Sequence, residues 1–113
     1  MAIAVETEER EGWKVVRVAG EIDLGTAPEL RERLATVLDD GADRVIVDLE
    51  QVRFIDSTAL SVMVAAHKRL VRRGTVLHLA AGGLQVVRVL TTTGLSRVFA
   101  VHDSVDEAVG TTP

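Results

Sequence analysis

The 113 residues suit one domain and no more. With 47% apolar and 27% charged residues, the chain has enough apolar side chain for a core and too much for disorder. The absence of cysteine excludes a disulfide framework, a thiolate metal site and a cysteine nucleophile, and the net charge of −4 argues against nucleic acid as a direct partner. Met1-Ala2-Ile3-Ala4-Val5 runs directly into Glu6, Glu8 and Glu9, which is not a signal-peptide pattern. The longest apolar stretch, around Ala59–Ala66, is broken by Ser61 and falls short of the ~18 residues of a membrane span. A cytoplasmic protein is expected.

Taken in chain order, Ala2–Thr7 and Trp13–Ala19 predict a strand hairpin around the polar loop Glu8–Gly12, with Ile3, Val5, Val16 and Val18 on its apolar face. A loop over Gly20–Gly25 follows. Thr26-Ala27-Pro28-Glu29 predicts a capping box with proline in the first turn of a helix. Leu30, Leu34, Val37 and Leu38 form that helix's buried face, and Gly41 ends it. Val45-Ile46-Val47 is a β-branched run suited to a strand buried on both faces. Leu49–Asp56 is expected to connect it to a helix from Ser57 to about Arg73, closed by Gly74. The basic cluster Lys68, Arg69, Arg72 and Arg73 reads as that helix's solvated last turn, where cations suit the dipole. Val76–Leu79 predicts the next strand. Gly82-Gly83 leads into a third helix with Leu84, Val87 and Leu90 on its apolar side, ended by Gly94. Val98–Val101 predicts a last strand. Ser104-Val105-Asp106-Glu107 is a second capping box, starting a helix through Val109, and Gly110–Pro113 is expected to fray. Trp13, Met63 and Phe99 are assigned to the core, and His67 and His78 to the surface or core edge. The order predicts one α/β domain over residues 1–113, with an ordered core of about 2–109. Its sheet is mixed but mostly parallel, of four to five strands with about four helices.

In such sheets the loops beyond the carboxyl ends of the strands carry function. Gly20–Gly25 and Leu49–Ser57 both fall there, bringing Glu21, Asp23, Asp48, Asp56, Ser57 and Thr58 toward one another. Asp56-Ser57-Thr58 has the residue types of a plain helix N-cap. The same position presents the Ser57 hydroxyl where backbone amides and the helix dipole tolerate an anion. A serine hydrolase would need a base within ~3 Å. His67, ten residues along the helix, lies ~15 Å away, and no nucleophile elbow surrounds Ser57. No catalytic residue is assigned. Asp23, Asp48 and Asp56 match no calcium-loop spacing, so no metal site is assigned either. Gly82-Gly83 lacks the lysine of a phosphate-binding loop and reads as a turn.

Gly20-Glu21-Ile22-Asp23 with Thr26–Leu30, then Val45–Leu49 with Phe54-Ile55-Asp56-Ser57-Thr58-Ala59-Leu60, then Leu90, Thr93-Gly94-Leu95 and Phe99, and finally Ser104–Val109, together resemble the STAS domain family. Within it the chain is most similar to the stand-alone anti-sigma factor antagonists. The resemblance implies that unmodified protein binds an anti-sigma factor that is also a serine-protein kinase, freeing a sigma factor. Phosphorylation of Ser57, with Thr58 as a second acceptor, would end that binding until a serine phosphatase restores it. Asp23, Asp56, Ser57 and Thr58 would form the partner-binding site, with no cofactor. Ala59 departs mildly from a glycine common in the family and would stiffen the helix start. A phosphate adds about −1.5 to −2 charges. One like-charge pair at ~4 Å and an effective dielectric of ~20 costs about 4 kcal/mol, almost a thousandfold in affinity. The competing expectations are a constitutive STAS scaffold or transport-system subunit without a switch, and a small serine hydrolase.

Overall fold

The computed structural model describes residues 3–111. Ala2 of the predicted first strand, and Thr112 and Pro113 of the predicted frayed end, lie outside the described residues. The hairpin is longer than the polar loop suggested: β1 (Ala4–Arg10) and β2 (Trp13–Ile22) meet at a two-residue turn. Glu11 and Gly12 both have positive φ, 50° and 87°, the backbone that tight hairpins with right-handed strand twist require. Glu6, Glu8 and Glu9 are therefore strand residues with exposed side chains. Ile3, Val5, Val16 and Val18 form the buried face as predicted.

After β2 come α1 (Ala27–Asp39), β3 (Val45–Ile55), α2 (Ser57–Val71), β4 (His78–Ala80), α3 (Leu84–Thr92), a single turn of 3₁₀ helix (Leu95–Arg97), β5 (Ala100–His102) and α4 (Val105–Val109). The strands lie side by side in chain order, β1 antiparallel to β2 and every later pair parallel. Three crossovers that each step one strand in the same direction, with the same right hand, put α1, α2 and α3 on one face. Leu30, Leu34, Met63, Leu70, Val86 and Leu90 from these helices form one core with the inward side chains of the strands. The opposite face is covered by α4, where Val105 and Ala108 pack on Trp13, Val15, Ile46 and Ala80.

Several boundaries differ from the sequence expectation. Gly20, Glu21 and Ile22 belong to β2, and Leu49–Ile55 belongs to β3. The polar residues Glu50, Gln51 and Arg53 hide this strand because its register with β2 slips twice, between Arg17 and Ala19 and again between Gly20 and Glu21. At each slip β3 carries one residue more than β2, as a bulged strand does. The fourth strand begins at His78, Val76 lying outside it and half-buried, and the fifth begins at Ala100. In α3 the buried residues are Val86 and Leu90, while Leu84 and Val87 face solvent. Thr111 donates to the Ala108 carbonyl, so the turn after α4 is tied down rather than frayed.

Trp13, Met63 and Phe99 are buried, as expected. His78 is buried too, at 3% exposure, because it faces the α4 layer rather than an edge. His67 accepts from the Leu77 amide at 3.2 Å and lies edge-on to Phe99, and its burial lowers its pKa. The basic turn of α2 is more than solvated surface. Arg69 reaches Asp39 at 2.7 Å, and Arg73 donates to the Ala42 and Leu38 carbonyls at 2.6 and 2.8 Å, tying the end of α2 to the chain that leaves α1. Replacing Arg73 with leucine should therefore cost about 1 kcal/mol in urea unfolding, a surface-discounted value for charged hydrogen bonds. Arg72→Leu should cost a few tenths at most.

Candidate functional site

Parallel pairing between β2 and β3 persists to its last rung, Ile22 opposite Ile55. The Asp56 amide then donates to the Ile22 carbonyl at 3.2 Å, so the loop after β2 and the start of α2 are fixed to each other. Beyond Ile22 the chain turns on Asp23. One carboxylate oxygen accepts from the amides of Gly25 and Thr26 at 2.9 and 3.1 Å. Thr26 does not form the predicted capping box: it makes no side-chain cap bond to the helix. Its buried hydroxyl instead donates to the Glu21 carbonyl at 2.8 Å and accepts from the Asp23 amide at 2.9 Å. Thr26 thus holds the loop, and Asp23 satisfies the amides at its turn.

The N-cap of α2 is Asp56, in extended backbone, with its carboxylate accepting from the Thr58 and Ala59 amides at 2.9 and 3.1 Å. Ser57 is the first residue of the helix and is exposed; Thr58 is half-buried. The Ser57 carbonyl accepts the Ser61 hydroxyl one turn on, at 3.0 Å. The capping amides of α2 are therefore already taken by Asp56, and the Ser57 side chain is left to solvent.

Asp23, Asp56, Ser57 and Thr58 come together as the sequence suggested, and Glu21 flanks them, 4.0 Å from Arg53. Asp48 does not join them. It lies in mid-strand, buried, bonded to Arg17 at 3.3 Å and to the Glu50 amide at 3.0 Å. The hydrogen bond to Asp48 raises the Arg17 pKa, and burial together with the Asp48 charge raises that of Glu50. Among the described residues no three metal-ligating side chains gather. The histidines are engaged elsewhere, His67 with Leu77 and His78 with His102, so Ser57 has no imidazole base.

Three apolar residues around this end of the sheet escaped the sequence reading. Leu24 is 75% exposed, Leu84 73% and Phe54 40%. They follow or end three adjacent strands: Leu24 lies just past β2, Phe54 near the end of β3, and Leu84 opens α3 after β4. Gln85 fixes the third to the second, because its side-chain amide both accepts from and donates to the Ile55 backbone at 3.0 Å. It substitutes there for a neighbouring strand, since β4 ends at Ala80. The available signal was an isolated leucine beside a loop aspartate and another straight after paired glycines.

The family model described as STAS domain matches residues 4–108. The chain belongs to the STAS domain family. Among curated relatives, this STAS domain is similar to the anti-sigma-B factor antagonist of Staphylococcus aureus, 31% identical over 106 residues that cover 94% of this chain and 98% of the relative. The anti-sigma-B factor antagonist of Bacillus subtilis is 36% identical over 101 residues, covering 89% and 92%. A crystal structure of an anti-sigma factor antagonist from Mycobacterium paratuberculosis superposes with a TM-score of 0.89 at 32% identity, covering 95% of this chain and 91% of the other. The five-stranded mixed sheet with four α-helices is thus the STAS fold.

The two hydrogen bonds that the α2 amides donate to Asp56 give the site a stability signature. Asp56→Ala should lower unfolding free energy by about 1–2 kcal/mol, while Asp56→Asn should lose only part of that. Chemical denaturation of the three proteins side by side measures the order.

Proposed function

We propose that this STAS domain is a cytoplasmic anti-sigma factor antagonist whose binding surface is the end of the sheet around Ser57. The unmodified chain binds an anti-sigma factor with serine-kinase activity and displaces its sigma factor. Phosphorylation of Ser57 ends that binding, and a serine phosphatase reverses it. One observation carries this reading: Ser57 is exposed at the amino end of α2 while Asp56 occupies the neighbouring amides. A phosphoryl group there finds no vacant Thr58 or Ala59 amide to fold back on. It stays in solvent, near the carboxylates of Asp23 and Asp56, and faces whatever protein docks.

The relatives' role as antagonists of an anti-sigma factor supports the choice of partner. The exposed Leu24, Phe54 and Leu84 supply what a polar switch alone lacks, apolar anchors that lose water on contact. The half-buried Thr58, with its amide held by Asp56, is a poorer acceptor than Ser57.

The test is incubation with ATP and an anti-sigma kinase, read by intact mass and then by pull-down. The native chain should gain one phosphoryl group and Ser57→Ala none. Ser57→Ala should be retained by the kinase with and without ATP, and the phosphorylated chain released. Leu24→Asp should weaken binding about tenfold or more without changing the fold. Absence of any phosphoryl gain, with binding intact, would favour a constitutive STAS scaffold instead.

A further inference from the structure

Behind the sheet, away from Ser57, lies a pair of titratable side chains that partner binding does not use. His78 on β4 and His102 on β5 stack with their planes 2° apart, and His78 Nδ1 lies 3.0 Å from His102 Nε2. His102 Nδ1 lies 3.6 Å from the Glu107 carboxylate on α4. His78 Nε2 is buried with no hydrogen-bond partner, and its ring meets Trp13 edge-on at 4.8 Å. We propose that His78 and His102 form an acid-operated latch, in which one added proton on the pair releases α4 from the back of the sheet.

The hydrogen count gives the reason. A consistent neutral arrangement has His78 Nδ1–H donating to His102 Nε2 and His102 Nδ1–H pointing to Glu107, leaving a bare lone pair on His78 Nε2. The nitrogen–nitrogen contact holds one proton only. A second proton on the pair must go either to His78 Nε2, where it has no acceptor, or to His102 Nε2, which forces the His78 proton round to that same blind site. Either way a proton sits on His78 Nε2 with no acceptor, beside a positive charge on one of the two rings. Burial, with His102 alongside, already holds the His78 pKa down at about 4.

The groups around the pair favour exit rather than local repair. On β3, Asp48 is committed to Arg17 and the Glu50 amide, and Glu50 lines the same cleft as Arg17 and Val105. Arg44 lies 5.7 Å over Trp13 and adds a like charge. Asp103 is exposed. On α4, Asp106 is paired with Arg10, leaving Glu107, half in water, as the carboxylate facing His102. A charged His102 would pair with Glu107, so the cost of the added proton falls on His78, whose Nε2 has no acceptor while α4 is docked. Against release stand Val105, Ala108 and Val109 on the sheet and the Arg10–Asp106 pair, a small hold for a helix of five residues. The sign follows from the proton count. The released state takes up a proton that the docked state refuses, so docking is complete above about pH 6.5 and is lost as pH falls toward 4.

Trp13 is the chain's only tryptophan, is buried, and packs under Val105 and Ala108, so it reports the latch. As pH falls from 7.5 to 4, Trp13 emission should shift to the red and acrylamide quenching should rise while far-UV dichroism stays nearly constant. Ring-nitrogen NMR of the unaltered chain should show the His78 ring taking up its proton with that step. In His78→Gln, which can donate to His102 Nε2 but cannot become charged at the blind site, the step should vanish. Three results would each overturn the latch: quenching that stays flat to pH 4, a step unchanged in His78→Gln, or loss of dichroism coincident with the Trp13 change.

Discussion

The last rung between β2 and β3 is the contact on which the site depends. Ile22 opposite Ile55, followed by the Asp56 amide on the Ile22 carbonyl, joins two chain segments more than thirty residues apart in sequence. Asp23 lies one residue beyond that rung on one strand, and Asp56 and Ser57 lie just beyond it on the other. The two register slips between β2 and β3 set where the rung falls. Because one residue of slip moves every side chain to the other face, the slips also decide which residues reach the helix layer. The Gln85 clamp on Ile55 holds the same point from the β4 side, where the sheet has already run out.

A scaffold fixed in this way can carry a switch made of charge alone. A helix amino terminus tolerates an anion, so a phosphoryl group on Ser57 does not threaten the fold. Asp56 already supplies the cap, so the helix gains little from a second acceptor. The new charge therefore acts outward. In the proposed complex the exposed leucines and Phe54 would give the contact its apolar area, and the acidic edge at Glu21, Asp23 and Asp56 would favour a partner of opposite charge. Phosphorylation would then work against desolvation of the same surface that the leucines favour burying.

Residue patterns revealed the helices more clearly than the sheet edges. Gly41, Gly74 and Gly94 end their helices where the periodicity stops, each with positive φ. Ser104 caps α4 as its sequence suggests, accepting from the Glu107 amide. The far half of β3 was hidden because it is bulged and partly open to solvent, so apolar alternation fails where Glu50, Gln51 and Arg53 intervene. Thr26 showed the right residue type and the wrong role, because a hydroxyl three residues from an aspartate is taken by the loop before it can serve the helix. At the site, residue chemistry pointed to Asp23, Asp56, Ser57 and Thr58. It placed Asp48 wrongly, because sequence order does not tell an aspartate at a strand end from one in mid-strand. The stacked histidines were invisible too, since 24 residues and an entire helix separate them.

In the proposed switch, a phosphate at Ser57 acts through charge on an unaltered fold. Titration calorimetry of the unmodified and Ser57-phosphorylated chain against the anti-sigma factor, at low and high ionic strength, tests it directly. The predicted result is a loss of affinity on the order of a hundredfold or more at low salt that shrinks as salt rises. An affinity gap that does not respond to salt, or none at all, would contradict it.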